Sequence, residues 1–268
     1  MDLCTVRTAR TPYYIENISA NIYSIEELCF YLHENVYLID GTIVNEKLCD
    51  WIRDELGLTR LYRQMMEHLQ KEDGIAYFVL PIFREAGYLD PKQLRAYQDA
   101  LSGIEVQQDD MRRKLKADYL VRCGMLSGAV SEYCGILERQ APGALGASFY
   151  AQVWNNLGSA FARQFQFEDA ADAFLNAWKL THTKDALRHY VSVLPLYLTG
   201  EEYKERLKDL GADQVLTGRI QEYNARIAQN AVTANEKRKK NALPPEETVR
   251  DLMEEYRRGS CMLHGIHL

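Results

Sequence analysis

The residues with the clearest chemical spacing stand near the end of the chain. Cys261, His264 and His267 follow the pattern C-x2-H-x2-H, and thiolate and imidazole groups are common ligands of zinc. A structural zinc site needs four such ligands, and no fourth stands near these three in the sequence. The spacing therefore predicts no metal site, and we expect these residues to belong to a loosely held or docked terminus.

The short motifs of common enzymes are absent from the sequence. It has no GxSxG nucleophile turn, no GxxxxGK phosphate loop, no GxGxxG dinucleotide turn and no HExxH zinc helix. His33 begins the last of these patterns, but Tyr37 stands where the second histidine would be. The other histidines considered are isolated and are interpreted as ordinary surface or core residues: His68, His182 and His189. We therefore expect a protein that is not an enzyme and has no cofactor. The alternative is an enzyme within residues 1–100, which would need carboxylates converging in a pocket.

The composition favours a soluble helical protein. Of the 268 residues, 47% are apolar and 26% are charged, and the net charge of −6 gives no general attraction to nucleic acid. The 16 glycines and 7 prolines are few for an all-β chain, which must turn often. The longest apolar run, at residues 75–83, is far shorter than the ~20 residues of a membrane-spanning helix.

The first residues and the cysteines predict a cytoplasmic location. Residues 1–14 lack the apolar core of a signal peptide. The six cysteines form no CxxC pair and are interpreted as reduced thiols, mostly small core residues: Cys4, Cys29, Cys49, Cys123, Cys134 and Cys261.

Helical spacing begins near residue 24 and continues with few interruptions. Candidate N-cap residues mark the start of four predicted helices: Ser24, whose partner Glu27 completes a capping-box pattern, Asn45, Thr59, and Asp90, which Pro91 follows. The apolar run at 75–83 is interpreted as a buried helix; its first half also fits a strand, but Pro81 argues against a central strand. Residues 11–18 fit an extended arm lying on the body of the protein. No segment alternates strictly between apolar and polar residues over several positions, so we predict an all-α fold.

Residues 213–240 predict one long amphipathic helix. Its narrow apolar stripe suits packing against a neighbour or pairing as a short coiled coil, and hence a homo-oligomer: Leu216, Ile220, Tyr223, Ile227, Ala231 and Ala234. The basic cluster at 236–240 ends this helix. Cations at a helix C-terminus commonly oppose the macrodipole, and no aromatic residues interleave with these, as a base-stacking surface would require. A further short helix is expected within 246–259.

The most specific pattern lies between residues 151 and 177. In a frame of 34 residues starting at Ala151, seven residues recur at regular positions: Trp154, Leu157, Gly158 and Phe161, then Ala170, Phe174 and Ala177. This pattern resembles the tetratricopeptide repeat (TPR), with Phe161 in place of the usual tyrosine and without the closing proline. The resemblance implies two helices that cross closely at Gly158 and Ala170, where only small side chains fit.

Weaker copies of the pattern stand on both sides. The preceding copy has Ala117, Leu120, Ala129, Tyr133 and Ile136 in register, with Arg113 and Lys116 where larger apolar residues are usual. The following segment, 184–198, is placed like a third first helix, which Pro195 ends or kinks. One repeat does not bury its own apolar surface, so neighbouring repeats are expected.

The resemblance covers about residues 108–200. It implies a right-handed α-α superhelix of TPR-like helical hairpins, with additional N- and C-terminal helices. We divide the chain accordingly into an N-terminal helical segment at 1–90, a TPR-like region at 91–200 and a C-terminal helical region at 201–268.

In the family, a concave groove lined by the first helix of each repeat binds peptides or helices of protein partners. The matching positions here are Lys114, Asp118, Arg122, Gln152, Asn155, Asn156, Ser159, Arg163, His189 and Tyr190. These polar groups, with a lysine and two arginines, suit an acidic or carboxylate-ended peptide. The chaperone-tail clamp of the family is matched only by Lys114 and Asn156, which argues against that ligand.

The sequence thus predicts a non-catalytic interaction or scaffold protein that binds a partner protein through this groove. The alternative is a nucleic-acid-associated regulator that uses the basic end of the long helix, and the sequence favours protein over nucleic acid. We expect no membrane association and no metal.

Overall fold

The structure, a computed structural model, describes residues 8–139, 145–210, 214–240, 249–250 and 253, without the side chains of 214–216 and 237–240. Several predicted features lie outside this part: most of the helix at 246–259, and Cys4, Cys261, His264 and His267. Most of the described residues are helical, which confirms the predicted helical class. The chain forms two compact units, Met1–Phe165 (unit 1) and Gln166–Leu268 (unit 2).

Unit 1 contains a short β-hairpin followed by a series of helices. The strands are β1 (Tyr13–Ile15) and β2 (Ala20–Ile22); the helices are α1 (Ile25–Glu34), α2 (Glu46–Asp54), α3 (Thr59–Lys71), α4 (Ile75–Ala86), α5 (Pro91–Glu105), α6 (Asp109–Arg122), α7 (Leu126–Glu138) and α8 (Gly146–Arg163).

The main apolar core of unit 1 surrounds α4. This helix is the apolar run predicted to be buried, and it packs against α1, α3 and α5. Phe78, Val79, Ile82 and Phe83 are all at most 1% exposed. Pro81 lies inside α4 and is also buried, so the interpretation of this run as a helix rather than a strand is confirmed.

Helix capping follows the sequence at three of the four predicted starts. Asn45 Oδ1 accepts a hydrogen bond from the backbone N–H of Leu48 at 3.0 Å. Asp90 and Gln93 form a complete capping box. At α1 the box is half formed: Ser24 Oγ accepts from Glu27 N at 3.2 Å, while the Glu27 carboxylate accepts from Tyr23 N at 2.6 Å. Such caps contribute about 1 kcal/mol each.

The predicted cap at Thr59 is wrong. Leu58 is the N-cap residue of α3, and Thr59 is already helical. Leu58 packs against the core, and its N–H donates to the carbonyl of Ile52 at 3.1 Å. These contacts hold the chain at the end of α2, so the helix starts without a side-chain cap.

Of the extended arm predicted at 11–18, Tyr13–Ile15 form the first strand of the hairpin, whereas Glu16–Ile18 form a 3-10 turn instead of extended backbone. β1 pairs with β2 in antiparallel register, with Tyr13 opposite Ile22. Ser19 turns the chain in the left-handed region, with φ of 50°. Each strand has only three residues, which is too short for alternation to be read from the sequence, although Ile15 and Ile22 point into the core.

The helices α6, α7 and α8 pack in sequence order. α7 contacts both α6 and α8, and α6 also contacts α8. The residues of the weaker repeat are all at most 3% exposed: Ala117, Leu120, Ala129, Tyr133 and Ile136. Leu157 and Gly158 of α8 are buried as well. This three-helix layer positions the candidate site.

Unit 2 begins with two helices, α9 (Phe167–Thr181) and α10 (Lys184–Val193), that pack along each other. A 3-10 turn at Leu194–Leu196 contains Pro195, which confirms that this proline ends the helix. α11 (Gly200–Asp209) and α12 (Gln214–Lys240) follow, and α12 contacts α10. On α12, Thr217 and Ile220 are buried, whereas Tyr223 and Ile227 are each 48% exposed.

Candidate functional site

An open groove of about 430 Å³ lies between α6 and α8 in unit 1. We call it the α6–α8 groove. Its lining comes from three helices and from Tyr37 in the 3-10 turn at Val36–Leu38: Tyr37, Leu115, Asp118, Val121, Arg122, Tyr133, Asn156 and Ser159. Successive turns of α6 and α8 supply most of these residues because side chains three or four residues apart share one face of a helix.

The polar side chains at the centre of the groove converge on Asp118. Its Oδ1 accepts hydrogen bonds from the hydroxyl of Tyr133 at 2.5 Å and from Nδ2 of Asn156 at 2.9 Å. Its Oδ2 accepts from the ammonium of Lys114 at 2.7 Å. One carboxylate thereby connects α6, α7 and α8, and its charge is balanced by Lys114.

Tyr133 stays protonated in this setting. Burial raises the pKa of its hydroxyl above the usual value, and the neighbouring Asp118 carboxylate raises it further. The hydroxyl therefore remains a hydrogen-bond donor to Asp118 throughout the neutral range.

Arg122 lies at the rim of the groove against two aromatic rings. Its guanidinium carbon is 5.2 Å from the ring centre of Tyr119 and 6.0 Å from that of Tyr37. The hydroxyl of Tyr119 donates to the Asn35 side chain at 2.9 Å, which fixes the ring. Arg122 is exposed, and no carboxylate within the described ranges pairs with it. Cation–π contacts hold this guanidinium and leave its N–H donors available to a ligand.

The groove brings together four of the predicted groove residues, Asp118, Arg122, Asn156 and Ser159. Lys114 is only 13% exposed and is engaged by Asp118. Arg163 is exposed, and its guanidinium donates to the carbonyl of Val121 at the end of α6, at 2.7 Å.

The other predicted residues of α8 lie next to the groove lining. Gln152 is exposed, and the carbonyl of Asn155 accepts a hydrogen bond from the Ser159 hydroxyl at 3.0 Å. Sequence reasoning missed Tyr37 as a lining residue and treated Tyr133 as packing alone. No local signal links Tyr37 to α6, because 85 positions of chain separate Tyr37 from Arg122.

The two predicted residues of unit 2 are partly or fully covered. His189 is half-buried, and its ring centre is 5.4 Å from that of Phe174. Burial lowers the pKa of His189, and nearby Arg188 lowers it further, so the ring is neutral at pH 7. Tyr190 is 2% exposed and offers a partner almost no accessible surface.

The remaining predictions concern the basic cluster at 236–240, a metal site and a membrane-spanning helix. The side chains of the basic cluster, except Glu236, lie outside the described set. Among the residues that are described, no three His, Cys, Asp or Glu side chains gather as metal ligands. Within the same ranges, no helix has the length and apolar character needed to cross a membrane.

Comparison with protein-family models, with curated proteins and with solved structures finds no match to this chain.

Proposed function

We propose that this is a non-catalytic interaction protein whose α6–α8 groove binds an acidic segment of a protein partner. The observation that carries the proposal is the contrast within the groove. The polar groups at its centre bond to one another around Asp118, while Arg122 at its rim has no carboxylate partner in the described part of the chain.

The charge of the groove favours an acidic ligand. Lys114 and Asp118 offset each other at the centre, Arg122 adds positive charge to the lining, and Arg163 adds a further charge where it bonds to the carbonyl of Val121, a lining residue. A guanidinium matches a carboxylate with two parallel hydrogen bonds, and such bonds are stronger than those between neutral groups. A carboxylate of the partner therefore pairs with Arg122, away from the like charge of Asp118.

The hydrogen bonds around Asp118 at the centre of the α6–α8 groove lower the entropic cost of binding a peptide. Three donors hold Asp118, and the bond to Asp118 also orients the amide of Asn156. The carbonyl oxygen of that amide is available to accept a backbone N–H of a bound peptide. Because these groups are ordered before binding, less conformational entropy is lost when a ligand docks.

We also propose that α6 to α8 are arranged as in a TPR array. The burial of the small and aromatic residues at the repeat positions, with α7 between α6 and α8 in the packing order, supports this arrangement. The proposal extends to a cytoplasmic location and to pairing through α12, whose Tyr223 and Ile227 are exposed.

The test is a selection of short random peptides displayed on phage. The baits are the natural protein, the double variant Arg122→Glu with Asn156→Ala, and the control Arg95→Glu. Arg95 is exposed on α5 and is not part of the groove lining, so the control reverses the same charge elsewhere. We expect peptides rich in Asp and Glu from the natural and control baits and none from the double variant. The proposal is rejected if all three baits select the same peptides.

A further inference from the structure

A second cavity in unit 1, of about 390 Å³, joins charged and apolar walls. It lies where α6 meets the loop after the Val36–Leu38 turn, the start of α4 and the ends of α5 and α7. We call it the arginine–isoleucine cavity, after the residues that carry the argument: Arg112, Arg113, Arg139, Ile39, Ile75 and Ile104.

The charged wall carries one positive charge in excess. Four cations line the cavity with three carboxylates, Asp40, Asp109 and Glu132. Lys116 donates to Asp40 at 2.7 Å and to Glu132 at 2.9 Å, and Arg113 donates to Glu132 at 2.9 Å. Asp40 and Glu132 are therefore already engaged by cations and share Lys116 between them.

Asp109 and the two outer arginines form the remaining pairs. Arg112 donates to Asp109 at 3.2 Å, and Arg139 also pairs with Asp109. The Nε of Arg112 is buried and has no hydrogen-bond acceptor in the described structure. Because Nε is closed to solvent, a ligand in the cavity contacts instead the accessible part of Arg112, whose side chain is 40% exposed.

The opposite wall is apolar. Ile39 is 5% exposed, and Ile75 and Ile104 are half-buried beside it. A ligand that satisfies both walls has an anionic head and a short hydrocarbon body. The single excess positive charge suits a monoanion; a dianionic phosphate would bring two negative charges next to Asp109.

We propose that the arginine–isoleucine cavity binds a small aliphatic carboxylate. The carboxylate head accepts hydrogen bonds from Arg112, whose fork of N–H donors matches its planar shape. The hydrocarbon body packs on Ile75 and Ile104. This cavity shares Tyr37 with the α6–α8 groove and none of the other lining residues, and the proposal does not depend on the function proposed for the groove.

The test uses hexanoate as the probe. Acetate presents the carboxylate head without the hydrocarbon body, and 1-hexanol presents the hydrocarbon body without the charge. Binding is measured by calorimetry and by amide chemical shifts at Ile75 and Ile104 at constant ionic strength. We expect saturable binding of hexanoate, with acetate and 1-hexanol weaker by about tenfold or more. Equal responses to hexanoate and acetate, or no saturable binding of hexanoate, would overturn the proposal.

Three variants locate the site. Arg112→Met removes the head contacts, and Ile104→Trp fills the space for the body; each should lower hexanoate affinity by about tenfold. Arg95→Met, on the exposed face of α5, should leave it unchanged. If Arg112→Met does not fold, Ile104→Trp alone tests the location of the site, because it fills the space for the hydrocarbon body and keeps every ion pair of the cavity. Unchanged affinity in the folded variants contradicts the assignment.

Discussion

The two helical hairpins α6/α7 and α9/α10 differ in what joins their helices. In unit 1, polar bonds join α6 to α7 beside an apolar seam. Arg113 and Lys116 both form ion pairs with Glu132, and the Tyr133 hydroxyl donates a hydrogen bond to Asp118. In unit 2, the seam is made of alanines and larger apolar residues, and the ion pair found there, Arg188 with Asp185, lies within α10.

The comparison shows that two kinds of contact do different things: apolar packing stabilises a hairpin, and polar bonds position particular side chains. Apolar contacts stabilise a hairpin without fixing any particular side chain for a ligand. The bonds across α6 and α7 hold charged and hydroxyl groups at defined distances, as a recognition site requires. They also carry a risk, because removing one partner leaves a charge that is partly buried and unpaired. The following changes test the comparison, beginning with the largest expected effect.

Phe174→Ala should destabilise the apolar hairpin most. Phe174 is 5% exposed, and truncating a buried phenylalanine costs about 3–5 kcal/mol through lost burial and the cavity that remains. Urea unfolding followed by hydrogen exchange of α9 and α10 measures the effect in unit 2. Leu180→Ala on the same helix, at a side chain 43% exposed, is the control and should cost less than about 1 kcal/mol. Equal costs for the two variants would show that this seam is not the core of the hairpin.

Lys116→Met should be the most damaging charge change in unit 1. It leaves Asp40 and Glu132 partly buried without their shared cation. We expect a loss of roughly 2–3 kcal/mol, below the range for fully buried pairs because the Asp40 side chain is 37% exposed. Lys71→Met, which removes an exposed pair with Glu67, is the matched control and should change stability far less. A loss no greater than that of the control would refute the importance of the bridge.

The cost of Lys116→Met should depend on pH. Burial alone would raise the pKa of Asp40, but hydrogen bonds from Lys116 and Thr42 outweigh it and lower the pKa. Burial alone would lower the pKa of Lys116, but its bonds to Asp40 and Glu132 raise it. A lowered carboxyl pKa stabilises the fold above the ordinary value near 3.9, and a raised ammonium pKa does so below about 10.4.

The difference in stability between the natural protein and Lys116→Met should therefore be greatest between about pH 3.9 and about pH 10.4. It should narrow as the pH falls through the lowered pKa of Asp40, and again as the pH rises through the raised pKa of Lys116. Urea titrations across this range measure the profile, and a constant difference would contradict the ion-pair explanation.

Tyr133→Phe tests the bond from α7 to the centre of the groove. It removes the hydroxyl that donates to Asp118 but keeps the buried ring. Since Lys114 and Asn156 still donate to Asp118, we expect a loss of about 1.5 kcal/mol, the low end for a bond to a charged group. Tyr77→Phe, at an exposed ring, serves as the control. If both variants have the stability of the natural protein, the hydrogen bond from Tyr133 to Asp118 does not stabilise the fold.

Gly135→Ala should have the smallest effect. A Cβ at this position of α7 would overlap the guanidinium of Arg113, so the arginine must move and weaken its pair with Glu132. Alanine improves helix propensity by about 1 kcal/mol, which offsets that loss. We expect a change within about 0.5 kcal/mol in thermal unfolding. A loss well above this would mean that Arg113 has no alternative position and that the pair is rigid.

Much of the fold could be predicted from local sequence because helices depend on short-range periodicity and capping. The buried helix α4 and the end of α10 near Pro195 are examples. The hairpin at Tyr13–Ile22 could not, since its strands pair through backbone bonds and are too short to show a pattern. The start of α3 was missed because tertiary contacts of Leu58 replace a side-chain cap.

The site was only partly predictable for a related reason. The helical spacing of Lys114 and Asp118 places both on one face of α6, and the sequence placed both among the groove residues. It gives no indication that Tyr133 and Asn156 would share the same carboxylate. Those bonds span 15 and 38 positions, and they depend on how α7 and α8 pack against α6. Individual groove residues can be read from the sequence, but which of them remain available to a ligand cannot.

The central claim is that Arg122 in the α6–α8 groove pairs with a carboxylate of the partner. The most direct test is a charge-swap cycle with an acidic peptide from the phage selection, followed by fluorescence anisotropy. Arg122→Glu should weaken the peptide by about tenfold or more, Arg95→Glu should not, and replacing the acidic residue of the peptide by lysine should restore binding to Arg122→Glu. Equal affinities of Arg122→Glu and Arg95→Glu for the original peptide would contradict the claim.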